Sequence, residues 1–199
     1  MSDVIKKQKL PTHAICIDWE TSGSAWGQDS TIDYQGLSFG AAIFRLSDFE
    51  IVDTLYCEIQ FDESKYKWSD QAQNIHGLTR EHLAANGMSQ EDAAVALMSL
   101  YIKYFAPDEY VYILGHHVDF DIEFTKQLLV PFGIMFNIGA TRIDTSGAGL
   151  IMFGIHKSED LFQFLGLPPR QTHNALEDVL LTVQAAKNMR LISNAALGI

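Results

Sequence analysis

A chain of 199 residues, 47% of them hydrophobic, is long enough to bury one core of its own and reads as a single domain. Its net charge of −11 excludes a broad basic surface for gripping nucleic acid, though not a local site that holds a strand end. No apolar run approaches the roughly 20 residues of a membrane span, so no membrane partner is expected. The polar, lysine-containing segment 1–10 lacks the apolar centre of a secretory signal. Cys16 and Cys57 lie in apolar runs without a metal-type spacing, which points to a reduced, cytoplasmic setting.

In chain order, residues 1–12 read as an N-terminal extension. The run from His13 to Ile17 is a short apolar strand that ends in Asp18-Trp19-Glu20 and then in the turn residues Thr21-Ser22-Gly23. Residues two apart on a strand share a side, so Asp18 and Glu20 project together and Trp19 faces away. Like charges that close raise each other's pKa unless a cation lies between them, and hard oxygen donors suit Mg²⁺ or Mn²⁺. The same spacing recurs at Asp48/Glu50 and Asp121/Glu123, but only the first pair directly follows an apolar strand. Residues 24–35 form a loop beside the pair. The runs 36–46 and 51–61 are predicted strands joined by a hairpin at 47–50, completing an antiparallel meander.

Thr79 opens a short predicted helix that Asn86-Gly87 ends. Ser89 and Asp92 resemble a capping box for a helix whose stripe is Ala93, Leu97, Leu100, Tyr101, Tyr104 and Phe105, with Pro107 as its stop. A second buried strand is predicted at 110–115, followed by His116-His117 and a helix with Phe120, Phe124, Leu128 and Leu129 on its apolar side. Two carboxylates compete for a role at the start of that helix. Asp121 shares a side with Phe124 and Leu128, which implies burial and a partner, whereas Asp119 better fits an N-cap. A further short strand in 136–144 ends near Asp144, a secondary candidate. Ser158 is expected to cap 159–165. A last helix over about 175–192 carries Asp178 in its first turn and is preceded by His173, with 194–199 as a tail. Strands first, then strands alternating with helices, indicate an α/β domain with a mixed sheet. A rigidly held Asp178 beside a mobile His173 suits a metal-ligand carboxylate paired with a general base.

Asp18-x-Glu20-Thr21-x-Gly23, Phe120-Asp121-x-x-Phe124 and His173-x-Ala175-x-x-Asp178 resemble, in that order, the three motifs of the DEDDh 3′→5′ exonucleases. This group includes the proofreading subunit of bacterial replicative polymerase and oligoribonuclease. Ile75-His76-Gly77-Leu78-Thr79 and Ile143-Asp144-Thr145 are similar to further segments of that family, and the match spans roughly residues 13–190. The resemblance implies a ribonuclease H-like mixed sheet of about five strands, one antiparallel, flanked by helices, with an exonuclease domain over 13–193. It implies Asp18, Glu20, Asp121 and Asp178 as ligands of two divalent ions, Mg²⁺ or Mn²⁺, and His173 as general base. The implied reaction hydrolyses a single-stranded DNA or RNA 3′ end, DNA favoured, releasing nucleoside 5′-monophosphates. A polymerase or another replication or repair protein is an implied partner. Substrate contacts are expected at Trp19, Thr21, Gly23, His76 and Phe120, with Trp19, Trp26 or Phe120 stacking on bases. Three features depart from the family: His116-His117 where His-Asn is common, a longer 24–35 loop, and Trp19 between the first two acids. An RNA-trimming enzyme, an inactive exonuclease-like binding subunit and an unrelated acidic domain are the competing readings.

Overall fold

The computed structural model describes residues 11–25, 28–106, 108–170 and 173–198. Trp26, Pro107, Thr172 and the segment 1–10 lie outside the described residues. Three long strands, β1 (His13–Thr21), β2 (Gly36–Arg45) and β3 (Ile51–Glu58), form the predicted meander. Two short ones, β4 (Ile113–Gly115) and β5 (Ile143–Asp144), complete a five-stranded sheet in the order β3-β2-β1-β4-β5. β1 and β3 both pair antiparallel to β2, whereas β1–β4 and β4–β5 are parallel, so β2 is the one reversed strand.

The helices are α1 (Asp70–His76), α2 (Arg80–Asn86), α3 (Gln90–Ile102), α4 (Val118–Leu129), α5 (Thr145–Phe153), α6 (Ser158–Phe164) and α7 (Ala175–Leu197). Strand alternation sorts β1 between two helical layers. Ile15, Ile17 and Trp19 join a core with α3 and α4, while Ala14 and Cys16 join Val179, Val183 and Ala186 of α7. Asp18 and Glu20 continue the second series, which directs both carboxylates to the side where α7 lies. A smaller core under α5 and α6 rests on Leu181, Ala185 and Met189 of α7.

Ser89 caps α3 as expected, accepting from the Asp92 N–H and donating to its carboxylate at 2.7 Å. That helix stops at Ile102, so Tyr104 and Phe105 pack beyond its end. Three expectations of local structure change. Ser158 is the first residue of α6 and does not cap it, because its hydroxyl is engaged by Arg170. Asp119 is not the N-cap of α4: His117 holds that position in the left-handed conformation (φ 64°), and Asp119 sits exposed, paired with Arg142 at 3.0 Å. Asp144 supplies the cap instead, accepting the Val118 N–H at 2.9 Å while its other oxygen caps α5 through Ser146 and Gly147. The last helix continues through residues 194–197, which had read as a tail.

Candidate active site

The four carboxylates reach one cleft from three elements. Asp18 and Glu20 come from the end of β1, Asp121 from the first turn of α4 and Asp178 from the first turn of α7. All four line a cleft of about 650 Å³ together with Phe120, His116, His117, Arg170 and His173. Asp121, not Asp119, is the buried acid of α4.

Its position is fixed by Trp19. The Trp19 N–H donates to Asp121 Oδ1 at 3.1 Å, and the indole N–H donates to Thr125 Oγ1 at 3.0 Å. Thr125 in turn donates to the Asp121 carbonyl at 2.7 Å. The Trp19 ring packs between Phe39 and Phe124 and is only 5% exposed. Trp19 lines the cleft, and its ring packs in the core, where it docks α4 onto β1. On the opposite layer, Gly40 pairs with Asp18 across the β1–β2 ladder. A Cβ at Gly40 would lie 2.3 Å from the Ala175 carbonyl oxygen, so only glycine lets the start of α7, and with it Asp178, seat against the sheet.

Electrostatics follow from this convergence. Burial, then the neighbouring Asp178 and Glu20, hold the Asp18 carboxyl well above its ordinary range. Burial followed by Asp18 does the same to Asp121, and burial with Asp178 pushes Glu20 up to about 7. Asp178 is raised by burial, with Arg170 pulling the other way. Donor atoms of Glu20, His173 and Asp178 lie within 4.8 Å of one another, and Asp178 Oδ1 is buried without a hydrogen-bond partner among the described residues. Crowded hard donors of this kind, one of them orphaned, fit a divalent cation.

His173 stands just outside α7, ahead of the Asn174 cap, with its side chain 35% exposed. Its Nδ1 is 3.7 Å from Asp178 Oδ2 and its Nε2 is 3.9 Å from Glu159 Oε1. Arg170 is the site residue that sequence reasoning missed. Its guanidinium donates to Asp178 Oδ2 at 3.0 Å and to Ser158 Oγ, and lies over the Phe162 ring at 5.4 Å. The only signal in the sequence is an arginine after the rigid Pro168-Pro169 pair, three residues before His173.

The remaining candidates surround the cleft. Phe120 lines it, its ring tilted 56° against that of Phe124 with centroids 4.9 Å apart. Thr21 donates to the Gly23 carbonyl at 2.9 Å, and Gly23 (φ 154°) leaves room for the Tyr34 ring, which a Cβ would meet at 2.4 Å. His76 is buried beside the backbone of Thr21, and its Nδ1 accepts the Leu78 N–H at 3.0 Å. It lines a second cleft of about 730 Å³, with Ile75, Phe162 and Leu167, that meets the first at Arg170 and His173. His116, hydrogen-bonded near Thr145 and His156, is held neutral by burial, with its pKa pushed down to about 4.

No protein-family model matches this sequence, and no curated protein matches it. Solved structures do. A zinc-bound complex of E. coli exonuclease I with single-stranded DNA superposes with a TM-score of 0.72 at 20% identity, over 90% of this chain and 41% of that one. Exonuclease I in complex with a dT13 oligonucleotide gives 0.71 at 20% identity, over 92% and 41%. A 3′-exonuclease solved in a study of 3′-end recognition of the histone mRNA stem-loop gives 0.67 at 14% identity, over 94% and 84%. The chain thus spans about two fifths of exonuclease I and most of the second enzyme. At these identities the likeness is one of architecture: this chain shares the fold of exonuclease I and of that 3′-exonuclease.

Proposed function

We propose that this chain is a divalent-metal-dependent 3′→5′ exonuclease that hydrolyses single-stranded nucleic acid, DNA favoured, to nucleoside 5′-monophosphates. One observation carries the reading: four carboxylates and a histidine, from residues 18 to 178, meet in a single cleft within an exonuclease fold. Asp18, Glu20, Asp121 and Asp178 would hold two ions, Mg²⁺ or Mn²⁺. Such ions, when bound, polarise a phosphoryl oxygen and acidify a water.

The chain's own groups do the rest. His173, about a third exposed and set between Asp178, Arg170 and Glu159, is placed to take a proton from the attacking water at a ring nitrogen. Buried Asp121 and Asp178 cannot shift far, so the reacting geometry is preset by the docking of α4 and α7. Phe120 offers a ring at the cleft wall for the terminal base, and Ser24 and Ala25 line the same cleft. Residues 13–193 would be the catalytic unit, working in the cytoplasm by itself or beside a polymerase.

The exoribonuclease reading keeps a specific support: the chain spans 84% of the 3′-exonuclease from the histone mRNA study, against 41% of exonuclease I. Digestion of 5′-labelled single-stranded DNA and RNA with Mn²⁺, Mg²⁺ or EDTA separates the two. The expected result is a metal-dependent ladder shortening from the 3′ end, absent for Asp18→Ala, with the faster substrate naming the sugar. No ladder on either substrate from folded, metal-supplied protein would leave a binding module.

A further inference from the structure

Among the described residues, Arg170 is the cation set against the four carboxylates, and the hydrolytic scheme has no task for it. Its side chain is 12% exposed, and Nη1 lies 3.0 Å from Asp178 Oδ2 and 3.4 Å from His173 Nδ1. The far side of the guanidinium is held by Ser158 at the start of α6, and its plane lies over Phe162. Among the described residues, Arg170 Nε and Asp178 Oδ1 are both buried without partners, so the pair satisfies only part of either group. A second carboxylate stands ready: Glu159 Oε1 is 4.0 Å from Nη2 on a side chain 71% exposed.

Resting on the metal-dependent reading above, we infer that Arg170 is a tethered counter-cation that competes with a divalent ion for Asp178, with Glu159 as its alternative seat. The chemistry favours this over a permanent brace. A guanidinium prefers a two-pronged grip on a carboxylate, and here it makes one contact to Asp178 and spends the other on a neutral hydroxyl. A pivot about the Ser158 and Phe162 contacts moves the charge from Asp178 toward Glu159 without exposing the apolar stem. That exchange gives the ion both oxygens of Asp178 and clears the flank of His173. Arg170 is thus a positioning residue, one that sets how tightly the site holds metal.

The test is a Mn²⁺ titration of metal-stripped full-length protein, read by calorimetry and by thermal unfolding, for wild type, Arg170→Gln and Glu159→Gln. Arg170→Gln should bind Mn²⁺ about tenfold more tightly than wild type and gain more in melting temperature on loading. Glu159→Gln, a surface change, should bind severalfold more weakly because the guanidinium loses its alternative seat. Folded Arg170→Gln with affinity equal to or below wild type would overturn the inference and leave Arg170 as a brace. Should that variant not fold, unchanged affinity in Glu159→Gln overturns it instead. Equal Mn²⁺ binding by wild type and Arg170→Gln thus overturns this inference while the metal-dependent reading stands. No binding by either removes the metal reading and this inference with it.

Discussion

Asp121 shows at the scale of one residue how the site trades stability for chemistry. Its carboxyl is buried, held protonated-side by burial and by Asp18, and tethered through one oxygen to the Trp19 N–H. Asparagine keeps that acceptor and removes the charge. Asp121→Asn should therefore melt higher than wild type in EDTA, by roughly 2–4 °C for each kcal/mol relieved. It should also lose most of its Mn²⁺-induced stabilisation and its strand-shortening activity. Differential scanning calorimetry with and without Mn²⁺ reads both; a lower melting temperature in EDTA would mean the charge is already compensated. The sequence ranked Asp121 above Asp119 on helical side alone. What settles the choice is Trp19, whose indole and backbone clamp the turn that carries Asp121. That contact joins residues 102 positions apart and leaves no local trace.

Among the elements, the decisive contact is glycine against helix. β2 runs under the N-terminus of α7, and at Gly40 the backbone of Ala175 and Leu176 occupies the space of a side chain. Gly40→Ala should push the first turn of α7 off the sheet, at a cost of about 1–3 kcal/mol. Because Asp178 rides on that turn, activity should fall far more than stability. Chemical denaturation alongside the ladder assay checks this, and an active, equally stable variant would show that α7 can rise without disturbing Asp178. Strands and helices were legible where the period was clean: the meander from its apolar runs, α3 from its cap and stripe. α5 was not. Its sequence, Thr145–Phe153, carries Gly147 and Gly149 and leaves Leu150 and Ile151 exposed, so neither propensity nor amphipathic pattern marks it. Arg170 was hidden for a related reason: its partners, Ser158 and Asp178, flank it at 12 and 8 residues across a loop with no period.

The whole molecule carries a net charge of −11, and the site concentrates part of that charge where it is least welcome. Glu20 binds its proton more tightly folded than unfolded, with a folded value of about 7 against 4.5. The folded state then holds more protons than the unfolded one in that interval, so stability falls as pH rises through it. Asp18, Asp121 and Asp178 act in the same sense. His116, pushed down to about 4, and His76, also lowered by burial, act in the opposite sense up to about 6.5, and their effect fades above it. The carboxylates therefore dominate above about pH 6.5. In EDTA the melting temperature should decline from pH 6.5 to 8, and saturating Mn²⁺ should flatten that decline. A flat profile in EDTA would mean the carboxylates are already ionised at the lower pH.

The order of the site along the chain has a consequence for timing. β1 and α4, with Asp18 and Asp121, leave the ribosome well before α7, and Asp178 does not exist until the chain has passed residue 170. Until then the growing polypeptide has two of the three arms of its cleft and lacks His173. On the proposed activity, a nascent chain would be unable to cut. The capacity to cut would arrive late, in one step, when the final helix closes over Gly40.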